Sequence, residues 1–209
     1  MRVAITGASG LIGSALVDHL RTEGHEVFKL VRRAVQANDE ITWDPAAGTI
    51  DLNALQGVEG IVHLAGAGVG DHRWSDEYKR EILNSRVNGT NTIVQAMTQL
   101  DPKPRVLVSG SAIGWYGDTD DRAVDETAPA GTGFLADVVQ AWEAATMPAQ
   151  AAGIRVVRAR TGLVVAKHGG AWLGCFRSSR WALVASSAMA SSTGLGYRFE
   201  MKLPLSPFV

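Results

Sequence analysis

An open, doubly wound parallel α/β sheet with helices on both faces is the fold predicted for residues 1–172. Three observations predict it. Short apolar runs lack the polar alternation of a half-exposed strand, each is followed by apolar residues at helical spacing, and a glycine-rich turn joins the first run to the first helix. Arg2-Val3-Ala4-Ile5 is the first run, ended by Gly7, and Ile12, Ala15, Leu16 and Leu20 mark the helix behind it. Gly24 stops that helix, and Val27, Phe28, Leu30 and Val31 form a second strand ending in Arg32 and Arg33. The pattern repeats with the strand Ile61-Val62-His63-Leu64, a long helix marked by Leu83, Val87, Val94 and Met97, and the strand Arg105-Val106-Leu107-Val108-Ser109. A helix from about Phe134 to Met147 and the strand Ile154-Arg155-Val156-Val157-Arg158 complete it.

The turn Gly7-Ala8-Ser9-Gly10-Leu11-Ile12-Gly13 is G-x-x-G-x-x-G, lying between a strand and a helix. Glycines there allow a tight turn and a close backbone approach to a diphosphate, whose charge is met by the free N–H groups of the helix N-terminus. Position, flanking elements and spacing agree, which makes the fold Rossmann-type and the ligand a dinucleotide. In domains of this kind that select NAD, an acidic residue near the end of the second strand binds the adenosine ribose. Here that position is about Val31, followed by Arg32 and Arg33. Guanidinium groups suit a 2′-phosphate, so NADP(H) is the cofactor expected; a solvated charged turn is the alternative.

Together with the strand end His63-Leu64-Ala65-Gly66, the segment Val87-Asn88-Gly89-Thr90 and Ser109-Gly110-Ser111-Ala112, the chain resembles the extended short-chain dehydrogenase/reductase superfamily of nucleotide-sugar epimerases and dehydratases. Trp43-Asp44-Pro45, Arg73-Trp74, Ser85-Arg86, Ser111-Ala112-Ile113-Gly114-Trp115-Tyr116-Gly117, Trp142-Glu143 and Arg160-Thr161-Gly162 make it most similar to the uncharacterised "epimerase family protein" branch. The resemblance implies that Gly7, Ser9, Gly10, Leu11, Ile12 and Gly13 hold the pyrophosphate, Arg32 the 2′-phosphate, and Leu64, Ala65 and Gly66 the adenosine-ribose side. Arg86 stands where typical members place an asparagine near the nicotinamide half, with a surface cation on the long helix as its alternative. Reversible hydride transfer on a nucleotide-linked sugar or similar small polyol is the implied activity.

The family's Tyr-x-x-x-Lys pair, in which the lysine makes the phenol a ready proton acceptor, is absent. Its positions fall at Leu135 and Val139, and four residues beyond Tyr78, Tyr116 and Tyr197 stand Ile82, Asp120 and Met201. Ser111 matches the family serine that bonds a substrate hydroxyl or carbonyl, against the alternative of a loop hydroxyl capping its own backbone. Tyr116 is the candidate acid/base, against simple packing beside Gly117. Asp137 and Glu143 are read as solvated or structural. The expected turnover is therefore slow or unusual. A non-catalytic NADP(H)-binding sensor or scaffold is the rival function, favoured by Leu135 and Val139.

A net charge of −1 offers no general field for nucleic acid or anionic lipid, so a small-molecule substrate is expected and a nucleic-acid partner is not. One cysteine, Cys175, forms no internal disulfide or zinc site, and the N-terminus carries no basic-then-apolar leader, which together suggest a cytoplasmic protein. No apolar run is long enough to span a membrane. The histidines His19, His25, His63, His72 and His168 lack metal-ligand spacing, and the acidic loop Asp118, Asp120, Asp121, Asp125 and Glu126 lacks the glycine and glutamate positions of a calcium loop, so no metal is expected. Ser9 and Ser111 lack the strand-elbow setting of a hydrolase serine. The oligomeric state is not legible.

Residues 173–209 read differently. They hold one acidic residue, Glu200, against Arg177, Arg180, Arg198 and Lys202, seven serines, and no sustained period. Read one register over with permissible codons, Leu173–Met201 and the start of Lys202 spell GLLPLFKVGAGGKLGDGKQHWAWVSLRNE, which resembles the lid segment of the family. The expectation is a frameshifted, non-native tail in place of most of the substrate-binding domain, giving a less stable product of low or no activity. A non-functional product of a disrupted gene is thus a third possibility.

Overall fold

A computed structural model describes residues 1–166 and 169–170. The expectations for the tail, residues 173–209, lie outside the described residues. Met1–Val164 form one compact unit, and a separate unit begins at Val165.

The first unit is built on a seven-stranded sheet. Its strands are β1 (Arg2–Thr6), β2 (Glu26–Val31), β3 (Glu40–Asp44), β4 (Thr49–Ile50), β5 (Gly60–His63), β6 (Val106–Ala112) and β7 (Arg155–Thr161). They lie in the order β4-β3-β2-β1-β5-β6-β7, all neighbours parallel except the antiparallel pair β3 and β4. The helices are α1 (Leu11–Thr22), α2 (Asp76–Gln99), α3 (Phe134–Ala144) and α4 (Met147–Ala151), with a 3-10 turn at Ile113–Tyr116. The structure differs from the sequence expectation in two respects. The short β3 and β4 were not foreseen, and the helix expected from about Phe134 to Met147 ends at Ala144, with Pro148 in the first turn of the separate α4.

Alternate residues of β1 feed two cores, because successive side chains of a strand face opposite ways. Val3 and Ile5 pack with Val17 of α1 and Val27 of β2. Ala4 points into the larger core with Leu30, Ile41, Trp43, Ile61, Leu107 and, from α2, Ile93 and Met97. Both faces of the central strands are thus apolar, as their unalternating sequence requires. Val62, Val108 and Val157 share the register row of Ile5, and Val157 at the far strand stays 38% exposed.

β2 follows β1 to one side, whereas β5 flanks β1 on the other. The chain therefore diverges at the carboxyl ends of β1 and β5, the crevice in which open α/β sheets bind ligands. The glycine turn and the Leu64–Gly66 loop emerge there. Among the described residues no helix is long and apolar enough to cross a membrane.

In the second unit, Val165–Ala166 (β8) pairs antiparallel with Gly169–Gly170 (β9).

Candidate functional site

At the end of β1 the backbone turns through Gly7, whose φ of +68° is the left-handed region that favours glycine. A Cβ on Gly7 would lie 2.9 Å from the Leu64 carbonyl carbon and 3.0 Å from the Ala65 nitrogen. A Cβ on Gly13 would lie 2.1 Å from the Gly7 carbonyl oxygen, so the first turn of α1 can press on the loop only without a side chain there. Gly10 caps α1 with no side-chain hydrogen bond, and the first turn holds no acidic residue. The first intrahelical bond runs from the Ser14 N–H to the Gly10 carbonyl, so the amides of Leu11, Ile12 and Gly13 have no acceptor within the helix and point out of its end. Ser9 and Gly10 are exposed, and Leu11 and Ile12 half-buried. A helix end of this kind can receive an anionic diphosphate.

A hydrogen-bonded knot fixes the opposite wall. Thr6 Oγ1 accepts the N–H groups of Leu64, at 3.0 Å, and Ala65, at 3.1 Å, and lies 2.7 Å from His63 Nδ1. With both lone pairs of the hydroxyl so used, its proton goes to Nδ1, and His63 carries its own proton on Nε2. Burial pushes the His63 pKa down to about 4, keeping the ring neutral. Nε2 has no partner among the described residues and abuts Gly89 and the ring of Trp43.

Arg86 is part of this wall rather than a surface cation. Its Nη1 donates to the Ala67 carbonyl at 3.0 Å and the Ile82 carbonyl at 2.9 Å, and its guanidinium lies 5.2 Å from the Trp142 ring centroid. Its stem lies over Gly66. Ser85 Oγ accepts the Ala67 N–H at 3.0 Å, so α2 holds the Leu64–Ala67 loop from beneath.

The two arginines after β2 have different surroundings. Arg33 is engaged by Glu40 at 2.6 and 2.8 Å, and the hydrogen bond from Arg33, with that from the Gln36 N–H, holds the Glu40 carboxyl down at about 2. Lys29 and Arg21 pair with Asp39. Arg32 is exposed and has no ion pair among the described residues.

Ser111, Tyr116, Glu143 and Arg160 converge at the carboxyl ends of β6 and β7. Trp142 of α3 seats against Gly110, which carries the next residue, Glu143, over Ser111. Ser111 Oγ donates to Glu143 Oε1 at 2.5 Å. Arg160 grips the same carboxylate through Nε at 2.8 Å and Nη2 at 2.9 Å, and donates from Nη1 to the Tyr116 hydroxyl at 3.1 Å. Its guanidinium stacks 4.1 Å from the Trp115 ring centroid. Burial pushes the Glu143 carboxyl up, but hydrogen bonds from Arg160 and Ser111 and the Arg160 charge outweigh it and hold the group below its ordinary value. Arg160 is raised, first by its hydrogen bond to Glu143. Thr161 Oγ1 donates to the Ser111 carbonyl at 3.1 Å.

The reading of Glu143 as solvated or structural is thus half replaced: the side chain is buried and bonded to the candidate Ser111. Its covering is set by Arg160, seventeen residues away on β7; the only sequence signal was a carboxylate one turn beyond Val139 on an apolar helix face. Leu135 and Val139, at the positions of the family's catalytic pair, pack over Gly114. Asp137 and the acidic loop residues Asp118, Asp120, Asp121, Asp125 and Glu126 are exposed.

A glycine turn feeding a helix at the switch point of a parallel sheet defines an NAD(P)-binding Rossmann domain. Comparison narrows that class. The model of the NAD dependent epimerase/dehydratase family matches residues 3–171, and the chain belongs to this family. An epimerase family protein of Mycobacterium leprae is 45% identical over 168 residues, 80% of this chain and 54% of the relative. The nucleoside-diphosphate sugar epimerase of Corynebacterium glutamicum superposes with a TM-score of 0.73 at 34% identity, covering 94% of this chain and 39% of that one. The human epimerase family protein solved with NADPH gives 0.72 at 29% identity, covering 85% of this chain and 59% of that one. The chain spans about half the length of the curated relatives it matches.

Proposed function

We propose that this chain is an NADP(H)-binding oxidoreductase or epimerase-like protein acting slowly, if completed by a substrate domain, on a nucleoside-diphosphate sugar. The observation that carries the reading is the tight turn at Gly7 and Gly13, where an added Cβ would meet the Leu64–Ala65 backbone or the Gly7 carbonyl oxygen, placed beside the free amides that open α1. Gly7, Ser9, Gly10, Leu11, Ile12 and Gly13 would hold the pyrophosphate. Leu64, Ala65 and Gly66 would line the adenosine-ribose side, and Arg86 would hold that wall toward the nicotinamide half. Arg32 would bind the 2′-phosphate; Arg33, occupied by Glu40, would assist only by leaving that pair.

NADPH on the human relative supports the phosphorylated cofactor, and the Corynebacterium epimerase supports a sugar linked to a nucleoside diphosphate. Bound there, the cofactor would supply hydride exchange at a carbinol carbon. Ser111 would hold the substrate oxygen. Tyr116, whose oxygen accepts from Arg160, would offer its own proton to a neighbouring substrate group.

Residues 173–209 are proposed to be a non-native tail in place of the substrate-binding domain, supported by the end of the family match at residue 171 and by the abrupt change in composition. A cytoplasmic setting is proposed on the single cysteine. The second reading, a non-catalytic NADP(H) sensor, is favoured by the packing of Leu135 and Val139 on Gly114.

Thermal-shift measurements with NADPH and NADH, followed by assays of NADP⁺ reduction over a panel of nucleoside-diphosphate sugars, test these readings. Stabilisation by NADPH with slow turnover supports the enzyme. Stabilisation without turnover supports the sensor, and no stabilisation by either cofactor removes both.

A further inference from the structure

We propose that Glu143 is the proton acceptor of this site and works through the hydroxyl of Ser111. The inference rests on the function proposed above and supplies its missing base.

Hydrogen-bond polarity leads to it. An ionised carboxylate only accepts and a guanidinium only donates. Glu143 Oε1 receives Arg160 Nε and Ser111 Oγ, and Oε2 receives Arg160 Nη2. The proton of Ser111 is therefore committed to Glu143, which leaves the lone pairs of Oγ for an incoming donor. Ser111 can accept from a substrate hydroxyl, whereas donating to a carbonyl would require breaking a buried 2.5 Å bond. The resting Ser111 hydroxyl accordingly accepts from an alcohol in preference to donating to a carbonyl.

Position on the helix points the same way. Leu135, Val139 and Glu143 are spaced four apart along α3 and share one face. Where the family's proton-transferring pair is replaced by packing, the next position on that face carries a carboxylate in contact with the serine. Arg160, itself bonded to the Tyr116 hydroxyl, holds the carboxylate ionised and aligned.

The step balances. As hydride leaves the carbinol carbon for an oxidised nicotinamide dinucleotide, the substrate O–H proton passes to Ser111 Oγ and the Ser111 proton passes to Glu143 Oε1. The products are a carbonyl, the reduced dinucleotide and a neutral Glu143 carboxyl; Arg160 keeps its charge throughout. The reverse step returns the same proton along the same path. A carboxyl held below its ordinary value is a weak base, which fits slow turnover.

The test uses the full chain in two arms. In the first, carboxyl carbons of glutamate are labelled with carbon-13 and titrated by NMR, Glu143 being assigned from the signal lost in Glu143→Gln. Ser111→Ala removes one donor and is expected to move the Glu143 titration upward, with Ser111→Thr restoring it; an unmoved titration overturns the relay. In the second arm, hydride transfer from UDP-glucose to NADP⁺ is followed against pH. Ser111→Ala and Glu143→Gln are each expected to slow transfer about a hundredfold or more. The double variant should be no worse than either, Ser111→Thr should recover activity, and Glu143→Gln should lose the acid limb of the profile. Should Glu143→Gln fail to fold, Ser111→Ala, which leaves the Glu143–Arg160 pair intact, carries the kinetic test, and the Glu143 signal is assigned from Glu143→Asp. Transfer unaffected by Ser111→Ala overturns the proposal. Where the unmodified chain binds NADPH without transfer, the titration arm decides: a Glu143 titration unmoved by Ser111→Ala overturns the relay, and one raised by it supports the Ser111–Glu143 bond on which the relay depends. Absence of NADPH binding overturns the proposed function, and the titration arm still decides whether Ser111 donates to Glu143.

Discussion

Thr6 Oγ1 lies 2.7 Å from His63 Nδ1, joining the carboxyl ends of β1 and β5 at the switch point of the sheet. Because the same hydroxyl takes the amides of Leu64 and Ala65, the glycine turn and the loop facing it are referred to a single oxygen. The neutral imidazole is part of that arrangement.

A pH dependence follows. The His63 pKa falls from 6.5 in the unfolded chain to about 4 in the fold, so between these values the unfolded chain binds the extra proton. Stability is fully present above pH 6.5 and is lost as pH falls, by about 1.4 kcal/mol per unit, and roughly 3 kcal/mol over the window. Urea unfolding from pH 7 to 4 should show this slope in the unmodified chain and lose it in His63→Phe, whatever the baseline of that variant. The carboxyls of Glu40, Asp39, Asp125 and Glu143 are held low, so their contributions are present above their unfolded values of 4.5 for Glu and 3.8 for Asp and fall away below them, overlapping only the bottom of the His63 window.

Gly13→Ala would place a methyl 2.1 Å from the Gly7 carbonyl oxygen, which only a shift of the loop or of α1 can relieve. We expect a loss of about 1–3 kcal/mol by chemical denaturation and a loss of NADPH binding by fluorescence titration. Retained stability and affinity would mean that the loop relaxes freely.

Arg32 and Arg33 should separate under mutation. Arg32→Ala is expected to weaken NADPH by about 1.5–3 kcal/mol, the value of a hydrogen bond to a charged group, and to leave NADH unchanged. Arg33→Ala should alter NADPH affinity far less while freeing Glu40. Isothermal titration of both variants with both cofactors checks the distinction, and equal effects would refute the division of labour.

Restoring the family's residues should fail. In the double variant Leu135→Tyr, Val139→Lys, an ammonium enters a position that is 3% exposed and packed over Gly114. The expected cost is roughly 3–5 kcal/mol for an uncompensated buried charge, with no gain in hydride transfer. A faster enzyme would show that the apolar face is an inactivated version of the ordinary site.

The tail makes a separate prediction. Genomic DNA across codon 173, compared with close relatives, should show the family's lid sequence in a reading frame displaced by one base. Relatives whose native frame encodes Leu173 to Val209 would end the idea.

The sheet is most legible in the sequence where both faces of its strands are buried. β1, α1, β2, β5, α2, β6 and β7 announce themselves through apolar runs and helical spacing, and the glycine turn is legible because local backbone sterics alone demand it. β3 and β4 are less apparent: β4 has two residues, and β3 alternates polar and apolar as Glu40-Ile41-Thr42-Trp43-Asp44, a half-buried pattern unlike the unbroken apolar runs of the other strands. The candidate site was legible only in part. Ser111 and Tyr116 stand out in the sequence, but Glu143 looks like any helix-surface carboxylate until Arg160 is brought to it by the β6–β7 pairing. Arg32 and Arg33 are neighbours in sequence, and their difference lies in Glu40, across the β2–β3 loop.

The central claim, a dinucleotide diphosphate resting on the α1 amides beside Arg32, is tested most directly by calorimetric titration of the purified chain with NADPH and NADH. Saturable binding at one site, tighter for NADPH by about tenfold or more and abolished by Gly13→Ala, is the predicted result. Heats of dilution alone with both cofactors, from a chain shown by circular dichroism to be folded, would contradict it.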